Sequence, residues 1–155
     1  MGIEMPKRFE DGLGYLIHHL MYALRQRLAE QCAASGYPIT ADELALLMIV
    51  YQSGDRSGLS QKELGDTLAK DKAVITRLIN SLSSKDLVVR SSDEKDRRVM
   101  RVCLTKVGKK AAETLHPGLI DILSQAYSGI SQEEFMLARD VLGRMLKNVR
   151  ESSCK

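Results

Sequence analysis

The stretch that decides the fold is residues 60–104, which read SQKELGDTLAKDKAVITRLINSLSSKDLVVRSSDEKDRRVMRVCL. Its first four residues, Ser60 to Glu63, match a capping box, in which a hydroxyl and a carboxylate bond the free amide groups at a helix start. The pattern predicts a short helix to about Leu68 or Ala69, a turn, and a second helix from about Asp71 to Lys85. Two short helices joined by a tight turn form a helix-turn-helix.

The sequence after Lys85 changes its period. Leu87 to Arg90 and Val99 to Leu104 are rich in strand-forming residues, and side chains in the second run alternate between two faces. The charged segment Ser91 to Arg98 lies between them. This pattern predicts a β-hairpin with a charged tip, which in this position is the wing of a winged helix-turn-helix.

The flanking segments predict helices. Apolar residues at helical spacing indicate a first helix from about residue 10 to 34, and the capping box Thr40 to Glu43 opens a second helix. Thr105 is expected to cap a fifth helix, which Pro117 should kink or break because proline cannot donate to the helix ladder. A last helix is predicted to about Glu151. Its apolar residues follow a 3-4 spacing typical of helix packing: Phe135, Ala138, Leu142, Met145 and Val149.

The predicted order is therefore α-α-α-α-β-β-α-α, a mainly α fold with a small β wing. The 155-residue chain forms one unit in this interpretation, with a winged helix-turn-helix at 39–110 between helical segments at 10–34 and 111–151.

Composition restricts the function classes. Residues 60–110 hold 13 Lys and Arg against 7 Asp and Glu, whereas the rest of the chain holds 10 against 13, so the middle favours a polyanionic partner. No apolar run reaches the length of about 18 residues that a membrane span needs, and no signal-peptide pattern is present, so we expect a cytoplasmic protein without membrane contact. The three cysteines form no CxxC pair, which argues against a disulfide framework or zinc finger.

The second helix of the pair has a face suited to a major groove. Its apolar side chains fall on one side, and the other side is small and polar with Arg77 as a long cation. Arg77 is a candidate for a bidentate contact with guanine and Asn80 for a contact with adenine. Thr76 is a candidate for a thymine methyl group or a phosphate. The plain alternative is an ordinary exposed helix face.

The predicted wing tip carries Lys95, Arg97 and Arg98. Arginine on a projecting loop can enter a narrow minor groove, where the negative potential is enhanced. Asp96 is expected to pair with a neighbouring arginine and orient it. The alternative for this segment is a solvated charged turn.

Several segments resemble the MarR family of bacterial transcription regulators: Leu59 to Leu64, Asp71 to Ile79, Leu87 to Arg90, and Asp96 to Gly108. The D-x-R-x-x-x-V-x-L-T-x-x-G run after a helix-turn-helix is specific, and the close match covers about 39–110. One departure is Asp86, where the family usually has a glycine, at a position expected to need a left-handed backbone.

The resemblance implies an obligate dimer formed by the first helix and the last two, so 10–34 and 111–151 become dimerisation helices. It implies a recognition helix at 71–85, with Arg98 probing the minor groove, and a small effector, an oxidant or a metal that weakens DNA binding. The predicted DNA-binding residues are Ser60, Gln61, Lys72, Ala73, Thr76, Arg77, Asn80, Lys95, Arg97 and Arg98, with Asp96 orienting the wing.

The predicted function is an effector-responsive repressor that binds a pseudo-palindromic duplex as a homodimer. The alternative is a winged-helix module that contacts only proteins. An enzyme is disfavoured because no G-x-S-x-G elbow, glycine-rich phosphate loop or H-E-x-x-H motif occurs. Operator and effector identity stay open, with the effector pocket expected between the first, second and fifth helices.

No cofactor and no metal site are predicted. His18 and His19 are adjacent on one helix, so they project about 100° apart and cannot chelate one ion together. Cys32 lies near a helix C-terminus, which opposes a reactive thiolate, and Cys103 is interpreted as a filler in a strand. Redox activity of Cys32 or Cys103 is left open.

Overall fold

The structure is a computed structural model that describes residue 4 and the ranges 6–54, 58–93 and 96–152. A 3₁₀ turn, Phe9–Asp11, precedes the first helix. The elements that follow are α1 (Leu13–Ala34), α2 (Ala41–Gln52), β1 (Leu59–Ser60), α3 (Gln61–Leu68), α4 (Lys72–Ser84), β2 (Val88–Ser92), β3 (Met100–Leu104), α5 (Lys106–Ala126) and α6 (Gln132–Ser152). The mainly α fold with a β wing and the order of its helices and hairpin strands are confirmed.

The small sheet has the antiparallel order β1-β3-β2. Leu59 of β1 pairs with Val102, and Val88 of β2 pairs with Leu104. The two-residue strand β1 was missed from the sequence because it is too short to show alternation. β2 also extends to Ser92, two residues into the segment predicted as loop.

The predicted helix starts are confirmed in atomic detail. Thr40 and Ser60 each accept the backbone N–H three residues on at 3.2 Å, while the glutamate of each box accepts from the cap backbone at 2.7 Å. Thr105 accepts the Gly108 N–H at 2.8 Å and so caps α5. Local polar chemistry therefore sets where α2, α3 and α5 begin.

Pro117 was expected to kink or break the fifth helix, and a break is wrong, since α5 runs without interruption from Lys106 to Ala126. A proline in a helix interior costs about 3 kcal/mol. Here α5 has buried side chains both before the proline, at Ala112 and Leu115, and after it, at Ile122. Burial of these side chains outweighs the lost hydrogen bond.

Two compact units make up the chain, one through Ile122 and one from Leu123 onward. In the first, half of the residues of α2 are buried, and α4 and β3 pack on it through Ile75, Ile79 and Val102. In the second, none of the described residues of α6 is buried, and the Tyr127 ring meets Phe135 edge-on at 5.2 Å. Among the described residues, no helix is both long and apolar enough to cross a lipid bilayer.

The backbone after α4 turns left-handed at Asp86, with φ at 56°, as expected for the position where the family usually has glycine. We expect Asp86→Gly to raise the free energy of unfolding by about 0.5–1 kcal/mol, because glycine adopts this conformation without steric cost. Urea unfolding measures the change. Asp86→Ala is the control, since it keeps a Cβ and should give no gain; equal gains from both would trace the effect to loss of the carboxylate instead.

Candidate nucleic-acid interface

The predicted recognition helix, α4, is held by its N-terminal cap and its buried inner face. The Asp71 carboxylate accepts the Val74 N–H at 2.8 Å and so caps the helix. Ile75, Ile79 and Leu82 are fully buried below it. The opposite face is exposed at the predicted positions Lys72, Ala73, Arg77 and Asn80, while Thr76 is half-buried.

Two of the residues predicted to contact bases, Thr76 and Asn80, already form hydrogen bonds within the protein. The Thr76 hydroxyl donates to the Lys72 carbonyl at 2.8 Å, which leaves its methyl group and its acceptor capacity for a ligand. The Asn80 amide oxygen accepts from the Arg90 guanidinium at 2.7 Å. A bidentate contact of Asn80 with adenine would share that oxygen with Arg90.

Arg90 was not singled out from the sequence. It lies on β2, half-buried, and its bond to Asn80 brings a guanidinium beside the outer face of α4. Its place two residues after the buried Val88, on the same face of the strand that follows α4, was the available signal.

A groove of about 510 Å³ lies between the α3 start, the α4 start and the base of the wing. It brings together four predicted residues from three elements, Ser60, Gln61, Lys72 and Arg98, and is also lined by Lys62, Gly65, Asp66, Lys70, Val99 and Met100. Four cationic side chains against one carboxylate make this groove suitable for a phosphate backbone.

The wing is organised by Asp93. Its carboxylate accepts from the Arg101 guanidinium and, at 2.9 Å, from the Asp96 N–H. Arg101 also donates to the Gly58 carbonyl at 3.0 Å, so it ties the wing base to the residue before β1. Neither Asp93 nor Arg101 was singled out from the sequence, because their proximity depends on the hairpin register.

Asp96 orients the wing tip through the main chain. Its carboxylate accepts the Arg98 N–H at 3.0 Å, rather than pairing with an arginine guanidinium as predicted. Arg98 follows Asp96 by only two residues, so this bond is a local turn contact, and the Arg97 and Arg98 side chains are exposed. Lys95 lies outside the described residues.

A buried carboxylate supports α4 from below. Glu43, 2% exposed, accepts from Ser81 and, at 2.7 Å, from the Lys85 ammonium, and it also caps α2. Burial alone would raise the pKa of Glu43, but hydrogen bonds from Lys85, Ser81 and Thr40 outweigh it and lower the pKa below its ordinary value. The sequence showed Glu43 only as a helix cap.

A family model described as MarR family matches residues 36–99 of this chain. The uncharacterised HTH-type transcriptional regulator YdgJ of Bacillus subtilis is 31% identical over 111 residues, which span 72% of this chain and 66% of YdgJ, slightly under two thirds of its length. The chain belongs to the MarR family.

Solved structures share the fold of this MarR-family protein. A Staphylococcus aureus MepR–DNA complex matches with a TM-score of 0.79 and 23% identity, over 88% of this chain and 98% of MepR. CouR of Rhodococcus jostii RHA1, bound to p-coumaroyl-CoA, matches with a TM-score of 0.76 and 18% identity, over 90% and 95% of the two chains. At these identities the likeness shows the fold alone.

The cysteines of the MarR-family chain differ in environment. Cys32 is 1% exposed, and burial, followed by the nearby Glu43 carboxylate, raises the pKa of its thiol. Cys103 is half-buried beside the Ser91 hydroxyl at 3.5 Å. Within the described ranges, no three metal-ligating side chains gather into a site.

Proposed function

We propose that this MarR-family protein is a sequence-specific regulator of transcription that binds duplex DNA as a homodimer. The observation that carries the proposal is the cationic groove, which joins the α3 start, the α4 start and the wing base on one surface. The MepR–DNA complex has the same fold, and the curated relative is described as a transcriptional regulator.

Each element has a proposed part in the contact. Arg77, with Ala73, Thr76 and Asn80, reads base edges in the major groove. Ser60, Gln61 and Lys72 hold the adjacent phosphates. The wing places Arg98 in the minor groove, with Arg97 and Lys95 beside it and Asp96 fixing the Arg98 backbone.

The second copy is proposed to pair through the terminal helices. In the single chain α1 exposes more than half of Leu13, Leu16, Leu20 and Tyr22, and α6 does the same with Leu137, Leu146 and Val149. Apolar rows of this kind are typical of an interface. We assign residues 10–34 and 111–151 to dimerisation and 39–110 to DNA binding, with recognition helices about one helical turn of DNA apart.

Regulation is proposed to be repression relieved by a small effector in the cytoplasm. CouR binds p-coumaroyl-CoA, which supports a ligand-responsive fold. We place the effector cleft between α1, α2 and α5, where the Tyr51 and His116 rings lie 6.3 Å apart. Relatives described as regulators favour this function over an enzyme and over a module that contacts only proteins.

The test is selection of duplex fragments from a genomic library by the purified protein, at low and at physiological salt. We expect enrichment of a pseudo-palindrome with half-sites one turn apart, and affinity that falls steeply as salt rises. Negligible duplex binding even at low salt would contradict the proposal and favour the protein-contact alternative.

Arg77 and Arg98 are expected to contribute differently. Arg77→Ala should reduce discrimination at one base position by about 1–3 kcal/mol, whereas Arg98→Ala should weaken binding to all selected sites to a similar extent. Competition binding against single-base variants of the selected duplex measures both. Arg8→Ala, at an exposed cation before α1 and outside the segments assigned to DNA binding and dimerisation, is the control; identical profiles for both variants and the parent would contradict these assignments.

A further inference from the structure

One carboxylate joins three elements at the first turn of α2. Asp42 accepts two hydrogen bonds from Arg25 of α1, at 3.0 and 2.6 Å to its two oxygens. Its Oδ1 also lies 3.3 Å from the ammonium of Lys70, in the turn between α3 and α4. The first helix and the helix-turn-helix are therefore linked through a single side chain.

The geometry of this link is restrictive. The fork of Arg25 fixes the plane of the carboxylate, and the side chains of Asp42 and Lys70 are only 23% and 25% exposed. Burial alone would raise the pKa of Asp42, but hydrogen bonds from Arg25 and then Lys70 lower it below its ordinary value. The Arg25 side chain is 46% exposed, so Asp42 and Lys70 are the partly shielded members of this contact.

Lys70 transmits the position of Asp42 to the recognition helix. Its N–H donates to the Gly65 carbonyl at 3.0 Å, and the next residue is Asp71, the cap of α4. The neighbouring Glu43 holds Ser81 and Lys85 at the other end of α4. Glu43 therefore holds the C-terminal end of α4, and the adjacent Asp42 connects the turn before α4 to Arg25 of α1.

We propose that Asp42 is a positioning residue that sets the recognition helix relative to α1 through Arg25 and Lys70. The proposal rests on the proposed function, in which α1 pairs with a second copy. The separation of two recognition helices then depends on how firmly each is tied to its own α1. DNA binding that needs both half-sites therefore depends on the Arg25–Asp42–Lys70 contact, whereas binding to one half-site does not.

The test compares two probes: the duplex recovered by selection, and the same duplex with one half-site scrambled. Asp42→Asn and Arg25→Gln should each weaken binding to the full site about tenfold, or about 1.4 kcal/mol, and change half-site binding less than about twofold. The double variant should bind the full site no more weakly than Asp42→Asn alone, because that single change already removes the charge that pairs with Arg25 and Lys70. Fluorescence anisotropy at low salt measures all the affinities, and thermal unfolding checks that each variant is folded.

The controls separate the possible outcomes. Arg8→Gln removes an exposed pair with Glu10, 2.8 Å from the Arg8 Nε, at a residue outside the segments assigned to dimerisation and DNA binding, and should leave both affinities unchanged. If Asp42→Asn unfolds, Arg25→Gln decides alone, since Arg25 is on the surface. Unchanged full-site affinity, or equal losses on both probes, would overturn the positioning role. A parent protein that binds neither probe would instead overturn the proposed function, and this role with it.

Discussion

Gly108→Ala is expected to lower the free energy of unfolding by about 3 kcal/mol or more. A Cβ at this position would lie 1.8 Å from the Leu87 carbonyl oxygen and 2.7 Å from its carbon. These are backbone atoms, and rotation of a side chain cannot relieve the overlap. Urea unfolding, followed by circular dichroism, measures the loss.

The contact is hard to relax because polar bonds hold both sides of it. The Thr105 hydroxyl donates to the Asp86 carbonyl at 2.5 Å and accepts the Gly108 N–H at 2.8 Å. The Thr105 N–H donates to Leu87 at 3.2 Å. The start of α5 therefore cannot withdraw from Leu87 without breaking its own cap.

Gly143→Ala is the matched control. No atom lies within 4 Å of a Cβ built at Gly143, and the residue is on the exposed surface of α6, outside the predicted seam. Alanine should stabilise this helix by about 0.5–1 kcal/mol. The same substitution is thus expected to have opposite signs at the two sites. A loss below about 1 kcal/mol at Gly108 would show that α5 can shift away from Leu87.

The L-T-x-x-G part of the sequence motif shows why so much of the fold was predictable. Leu104 pairs with Val88, Thr105 caps α5, and Gly108 admits the Leu87 backbone. The contacts of Leu104 and Gly108 join residues distant in sequence and were recognisable only through the resemblance, whereas the Thr105 cap is local and follows from residue type and spacing. The same holds for Thr40 and Ser60, whose hydroxyls begin helices in any context that leaves the chain free to turn.

The features missed from the sequence depend on tertiary register. Asp93 and Arg101 meet only once β2 and β3 pair, and Glu43 meets Lys85 across two helices. The disruptive effect of Pro117 on α5 was overestimated, because the sequence shows the local cost of a proline but not the burial of the side chains around it. The polar outer face of α4 followed from helical periodicity alone, whereas the Arg90 contact that occupies Asn80 needed the position of β2.

Removal of the Glu43 carboxylate is expected to be the second large effect. Glu43→Ala should lower the free energy of unfolding by about 3 kcal/mol, at the lower end for a broken buried pair. The Lys85 side chain is 32% exposed, so its ammonium can turn toward water. The cost arises from the cavity and from the unpaired Ser81 hydroxyl and Thr40 N–H. Glu43→Gln keeps the volume of the side chain and should lower the free energy of unfolding by less. The control is Glu113→Gln at an exposed, long pair with Lys109, where less than about 0.5 kcal/mol is expected.

The pH dependence isolates the charge of Glu43 from its shape. Its pKa is lowered in the folded chain, so its contribution is fully present above the ordinary glutamate value of about 4.3 and is lost as the pH falls through the folded value. Between about pH 5 and pH 3 the parent should therefore lose stability more steeply than Glu43→Gln. Asp42 has a pKa lowered in the same direction, so the variant keeps a residual slope. Parallel profiles for the parent and Glu43→Gln would contradict a lowered pKa and would mean that the charge of the carboxylate adds nothing to stability.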